Sequence, residues 1–186
     1  MIIIVGKTCS GKSSVARILQ ERYGINRILT YTTRPPREGE GLEYHFVADE
    51  DFEMLKSKDF FFETTQYQVA CGETWKYGTA ISDLNNDSCI VMNPDGLKKF
   101  KKLLDPNEYT FTVVYLNVTE GCQWNRLRLR GGNGSSDEAS RRVEADRKDF
   151  AEIGSYYDFA ITTDKTKVED IAFLIYNYNN VINKRI

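Results

Sequence analysis

Short all-apolar runs ending at glycine alternate with stretches of helical periodicity along this chain. Ile2–Val5 is apolar without a break and stops at Gly6, as a strand buried on both faces would. Ser13–Tyr23 then carries Val15, Ile18, Leu19 and Arg22 at helical spacing, and Gly24 supplies a C-terminal stop. Arg27–Thr30 reads as a second short strand and Thr32–Glu43 as a loop with two prolines. Tyr44–Val47 is strand-like, and Asp49–Lys58 is a short helix with acidic residues in its first turn. Phe60–Ala70 and Thr74–Thr79 are aromatic and β-branched runs around Cys71-Gly72-Glu73, the pattern of a hairpin. Cys89–Met92 predicts another buried strand, followed by a turn at Asn93-Pro94-Asp95-Gly96 and a basic helix to Leu104. Thr110–Val118 predicts a strand, and Thr119 caps a helix running through Arg130. After a Gly/Asn/Ser loop at Gly131–Ser136 come a helix from Asp137 to about Ile153, a strand at Phe159–Thr162 and a helix over Val168–Ile182.

Strands alternate with helices at both ends, which predicts an α/β fold with a parallel β-sheet core flanked by helices. The interruption at Thr32–Thr79 predicts an inserted mixed-β subdomain. At 186 residues the chain suits one domain. With 41% apolar and 28% charged residues it can build a full core. No apolar run approaches the ~20 residues of a membrane span, and Met1 leads into the first strand with no basic segment of a secretory leader. Four scattered cysteines (Cys9, Cys71, Cys89, Cys122) and a lone His45 do not match zinc or disulfide spacings. A reduced, cytoplasmic protein is expected. The net charge of −2 argues against a nucleic-acid partner. Six of the twelve arginines nonetheless fall between Arg126 and Arg147, and Arg34 and Arg37 flank Pro35-Pro36. Arginine forks match phosphate oxygens, although the interspersed Asp137, Glu138, Glu144 and Asp146 would equally suit a solvated helix face.

The sharpest motif is Gly6-Lys7-Thr8-Cys9-Ser10-Gly11-Lys12-Ser13, a match to G-x-x-x-x-G-K-[ST] between a predicted strand and a predicted helix. In that setting the loop's N–H groups and the helix N-terminus hold phosphates, Lys12 reaches the β- and γ-phosphates, and Ser13 ligates Mg²⁺. Thr8, Cys9, Ser10, Gly11 and Ser14 complete the expected ATP-binding set. A P-loop alone fits a motor, a GTPase or a small-molecule kinase. The absence of an Asn-Lys-x-Asp signature and the short chain favour the kinases.

Downstream, Thr32-Thr33-Arg34-Pro35-Pro36-Arg37-Glu38-Gly39-Glu40 and Glu43-Tyr44-His45-Phe46-Val47 resemble the nucleotide-monophosphate-binding segment of guanylate kinases, T-T-R-x-P-R-x-G-E followed by D-Y-x-F-V. The likeness continues through Phe62-Glu63, Tyr77-Gly78-Thr79 and the arginine-rich segment, in order along nearly the whole chain. It implies the P-loop kinase fold, with a core over 1–31 and 80–186, an NMP-binding insert over 32–79 and a helical lid over about 126–147. It also implies transfer of the γ-phosphate of MgATP to GMP or dGMP, with Mg²⁺ as cofactor and ATP as co-substrate. Arg34, Arg37, Tyr44 and Tyr77 would hold the acceptor phosphate, and Glu63 would read the guanine edge. Thr30 and Thr79 would supply hydroxyls beside phosphate and base. Arg126, Arg130 and Arg142 (Arg141 being the alternative to Arg142) would close over the transferring phosphoryl group. His45 is expected to be an ordinary strand residue.

Three departures from the family pattern stand out. Met92-Asn93-Pro94-Asp95-Gly96 replaces an aspartate-rich turn; by the resemblance Asn93 would stand where an aspartate organises Mg²⁺ and its water, and Asp95 would be the second guanine-reading carboxylate. Lys7-Thr8-Cys9 replaces the usual Pro-Ser-Gly, and the hairpin around Cys71-Gly72-Glu73-Thr74-Trp75 is longer than typical. The alternatives are a P-loop kinase acting on another nucleotide or a phosphorylated sugar, and a non-catalytic binding module of the same fold. The complete P-loop argues against the last. Small-molecule substrates and a monomer or weak dimer are expected.

Overall fold

The computed structural model describes residues 1–36, 43–68, 72–129 and 136–183. The strands β1 (Ile2–Gly6), β2 (Asn26–Ile28), β7 (Ser88–Met92), β8 (Thr112–Asn117) and β9 (Phe159–Thr162) form an all-parallel sheet in the order β2-β7-β1-β8-β9. A second sheet, ordered β4-β3-β6-β5, gathers β3 (Tyr31–Thr32), β4 (His45–Phe46), β5 (Phe61–Gln68) and β6 (Thr74–Ala80), with β5 and β6 antiparallel. The helices are α1 (Lys12–Tyr23), α2 (Asp49–Ser57), α3 (Pro94–Leu103), α4 (Glu120–Leu129), α5 (Ser136–Asp149) and α6 (Val168–Asn183).

Alternation along β1 assigns its side chains to two cores. Ile2 and Ile4 pack with Val15 and Leu19 of α1 and Ile171 and Ile175 of α6. Ile3 and Val5 face the other way, onto Leu97 and Phe100 of α3 and Phe150 beyond α5. The central strand is therefore sequestered on both faces, which is why it reads as an unbroken apolar run. Gly24 ends α1 at φ 68°, with its N–H and that of Ile25 returning to the last turn.

Three boundaries differ from the sequence expectation. The segment 27–30 is not one strand: the chain leaves the parallel sheet after Ile28 and joins the second sheet at Tyr31. Asn93–Gly96 is not a turn before α3 but its first turn, since the Asn93 side-chain oxygen accepts the Gly96 N–H at 2.6 Å and Pro94 occupies the first helical position. The helix expected to reach Ile153 stops at Asp149, and a separate 3₁₀ turn at Ile153–Ser155 lets Phe150 and Ile153 both reach the core. The hairpin strands pair as expected, from Gln68 opposite Thr74 to Phe61 opposite Ala80; Val69, Ala70 and Cys71 lie outside the described residues.

Candidate active site

The loop from Gly6 to Ser13 leaves the carboxyl end of the central strand, where ligands of open α/β sheets bind. A Cβ on Gly6 would lie 2.5 Å from Ser10 Oγ and 2.7 Å from the Leu116 carbonyl oxygen, so only glycine lets the loop turn this close to β8. The Ser10 N–H donates to the Lys7 carbonyl at 3.1 Å, and Gly11 caps α1 at φ 92°. Cys9 adopts φ 62° without being glycine, a conformation costing about 1–2 kcal/mol. Lys12 Nζ donates to the carbonyls of Gly6 (2.7 Å) and Lys7 (2.9 Å), which places its charge at the mouth of the loop. Ser10 Oγ is buried without a hydrogen-bond partner, a polar atom turned inward on this loop.

The small sheet carries the second half of the site. Arg34 is 3% exposed, with its guanidinium 5.1 Å from the Tyr44 ring centre and 5.3 Å from that of Phe46, and it donates to the Pro35 carbonyl at 2.8 Å. Tyr77 stands edge-on to Tyr44, their ring centres 6.1 Å apart. Thr30, Tyr44 and Ser13 line one cavity together with Arg27 and Glu43, so P-loop and small sheet share a wall. The Arg27–Glu43 ion pair, at 3.2 Å, ties the edge of the main sheet to the Tyr44 segment.

Glu63 is 7% exposed and sits opposite Thr79 in the β5–β6 ladder, where the pairing register shifts between Phe61 and Glu63. That bulge lets Phe62 pack on Phe100 of α3 while Glu63 also turns inward. Thr79 Oγ1 donates to Glu63 Oε1 at 2.8 Å; Oε2 is buried without a hydrogen-bond partner. Burial pushes the Glu63 carboxyl up to about 7; Thr79 and Lys99 oppose the shift and Asp95 adds to it. Asp95 is exposed on the first turn of α3, paired with Lys99 at 3.0 Å, and the Cβ position of its neighbour Gly96 lies 3.7 Å from Glu63 Oε2. The start of α3 thus forms one side of the Glu63 pocket.

Arg126 of α4 does not reach outward. Its guanidinium donates to the carbonyls of Cys9 (3.0 Å), Thr163 (2.5 Å) and Asp164 (3.4 Å) and to Thr163 Oγ1 (3.2 Å), lacing the P-loop to the turn after β9. Arg141 and Arg142 stand half-buried on α5. Arg37 and Arg130 lie outside the described residues.

The donor set suits a hard cation that arrives with phosphates: Ser13 offers a hydroxyl at the loop, and no group of three or more His, Cys, Asp or Glu side chains that could hold a metal occurs among the described residues. The Asn93 side-chain oxygen is engaged in capping α3. Sequence reasoning missed Gln123, Asp146, Thr163 and Asp164, which brace the loop from behind. They belong to no motif, and only their convergence in space reveals them.

The guanylate kinase family model matches residues 1–175. A guanylate kinase of Neisseria gonorrhoeae is 39% identical over 174 residues, covering 88% of this chain and 80% of that protein. One from Bdellovibrio bacteriovorus is 32% identical over 173 residues, 88% of each chain. Among solved structures, the guanylate kinase of Anaplasma phagocytophilum superposes with a TM-score of 0.65 at 20% identity, over 97% of this chain and 84% of that one, a likeness of fold.

Proposed function

The chain belongs to the guanylate kinase family, and we propose that it is a working member: an ATP-dependent phosphotransferase that converts GMP or dGMP to the diphosphate. The observation that carries this reading is the pairing of an intact P-loop with Glu63, a buried carboxylate whose second oxygen awaits a donor. A guanine edge presents N–H donors where adenine presents an amino group and an unprotonated nitrogen. An ionised carboxylate only accepts hydrogen bonds, so Glu63 suits guanine.

In this reading ATP lies along the loop from Gly6 to Ser14, with Thr8, Cys9, Ser10, Gly11 and Lys12 around its phosphates. Ser13 would hold Mg²⁺, which neutralises phosphate charge when bound. Arg34, Arg37, Tyr44 and Tyr77 orient the acceptor phosphate in line, with Thr30 beside it; Thr79 and Asp95 assist Glu63 at the base. Phosphoryl transfer asks for little covalent help, so placement, fixed cations and exclusion of water supply most of the rate. Arg130 and Arg142 close over the transferring group as lid residues, and Arg126 works at the base of that lid through the Cys9 carbonyl.

The unit organisation that goes with this reading is a core over 1–31 and 80–186, an NMP-binding insert over 32–79 and a lid over about 126–147. No described helix is long and apolar enough to cross a membrane. A cytoplasmic monomer or weak dimer acting on small molecules fits this reading. A coupled assay of ADP release across all (d)NMPs and sugar phosphates tests it: turnover confined to GMP and dGMP is expected, and turnover of another acceptor in their place refutes it.

A further inference from the structure

The Thr8 N–H, one of the P-loop donors, is not directed at open space: it donates to Asp146 Oδ2 of α5 at 2.8 Å. The same carboxylate oxygen accepts a short hydrogen bond from Gln123 Nε2 of α4. Gln123 is 1% exposed, a polar side chain in the interior that Asp146 satisfies. On the outer side, Arg147 pairs with Glu120 of α4 and with Glu144, so Asp146 is held on a helix already tied to α4. We propose that Asp146 is a positioning residue for phosphoryl transfer: held by Gln123, it fixes the Thr8 peptide and thereby the shape of the phosphate-binding loop. The inference rests on the P-loop kinase reading above.

The physical need lies one residue on. Cys9 occupies the left-handed region without being glycine, and such a conformation persists only where its surroundings over-determine it. Two contacts do so here, both from the α4–α5 side. Arg126 grips the Cys9 carbonyl, and Asp146 grips the Thr8 N–H immediately before it. With both in place, the turn at Cys9, closed by the Ser10 N–H on the Lys7 carbonyl, keeps its shape. Without the Asp146 contact the Lys7–Thr8 peptide is held only at its carbonyl, by the Ser10 N–H and Lys12 Nζ, and more of the loop's ordering falls at the moment of binding.

Asparagine can replace the carboxylate in this role. Its amide oxygen, in the place of Oδ2, accepts both the Thr8 N–H and the Gln123 Nε2 donor. Alanine can do neither. The test measures the Kd for ADP by calorimetry, and KM for ATP and GMP, on the wild type, Asp146→Ala, Asp146→Asn, Gln123→Leu and the Asp146→Ala/Gln123→Leu double variant. Asp146→Ala is expected to weaken ADP binding and raise the ATP KM about tenfold, the loss typical of one hydrogen bond to a charged group, with the GMP KM within about twofold. Asp146→Asn is expected to restore ADP binding to within about threefold of wild type. Gln123→Leu should be intermediate, and no worse in combination with Asp146→Ala than Asp146→Ala alone.

Tighter ADP binding by Asp146→Ala would show instead an internal anion competing with phosphate. An Asp146→Asn protein as weak as Asp146→Ala would show that the charge matters rather than the geometry. Equal losses for ATP and GMP would show a merely structural contact. Each of these overturns the proposal. ADP binding is independent of the acceptor, so a wild type that binds ADP but leaves GMP untouched refutes the proposed function and not this inference.

Discussion

Thr79 and Glu63 face each other across the β5–β6 ladder, and the Thr79 hydroxyl donates to Glu63 Oε1 at 2.8 Å while Oε2 stays buried and without a partner. One oxygen is held in place and the other is kept for a ligand. The carboxyl titrates near 7, chiefly because it is buried. Only its ionised form leaves both oxygens as pure acceptors, one for Thr79 and one for the guanine N–H donors, so kcat/KM for GMP should rise with pH through about 7 and level off above it. A pH profile on the wild type checks this. A flat profile between pH 5.5 and 8.5 would remove Glu63 from base recognition.

The same shift has a cost in stability. A carboxyl raised above its unfolded value favours the fold fully below pH 4.5, and that contribution is lost as pH rises through 7, on the order of 3 kcal/mol in all. Glu63→Gln should therefore raise Tm at pH 8 more than at pH 5, while lowering kcat/KM for GMP about 10- to 10²-fold and narrowing the gap between GMP and AMP. Thermal melts at the two pH values and steady-state kinetics with both nucleotides test the pair of effects. A variant destabilised at pH 8, or one with unchanged GMP efficiency, contradicts the assignment.

Lys12→Ala should reduce kcat by about 10²-fold or more with the fold intact, since one fixed cation at the phosphates is lost. Its two bonds to loop carbonyls are replaceable by water, so circular dichroism should be unchanged. Retention of a tenth of the wild-type kcat would exclude the P-loop assignment.

Arg34 and Arg126 should separate by substrate. Arg34 packs on Tyr44 and Phe46 in the small sheet, so Arg34→Ala should raise the GMP KM about 10²-fold and leave that for ATP within about threefold. Arg126 spans Cys9 and Thr163, so Arg126→Ala should raise the ATP KM and lower Tm. Arg126→Lys should rescue both only in part, because a compact ammonium lacks the planar fork whose two ends reach the Cys9 and Thr163 carbonyls. Kinetics with each substrate varied in turn decide the matter. An Arg126→Ala protein impaired only toward GMP would be inconsistent with the observed contacts.

Gly6→Ala should destabilise the protein by more than about 2 kcal/mol, because the added methyl meets the Leu116 backbone carbonyl, which cannot rotate away. Chemical denaturation measures this directly. A change under about 0.5 kcal/mol would mean that β1 and β8 can separate at their carboxyl ends.

The sequence by itself determined the parallel core, because Ile2–Val5, Cys89–Met92 and Phe159–Thr162 are short runs bounded by turn residues and joined by helical periodicity. It also determined the P-loop, whose glycines answer to local sterics that a motif records. Local signals failed where one residue had two possible partners. Asn93 reads as a turn and is a cap, since capping depends on where the next three residues go. Residues 27–30 read as one strand and serve two sheets. The inward turn of Glu63 depends on a bulge that only its pairing with β6 creates. Arg126 carries the same charge whether it swings over a substrate or holds a loop, and the carbonyls it meets here lie 117 and 37 residues away. The contact of Thr8 with Asp146 spans 138 residues, and no pattern within a helix or a loop encodes it. Contacts at that distance arise from how the elements pack, which is why the tertiary structure alone decided what braces the loop.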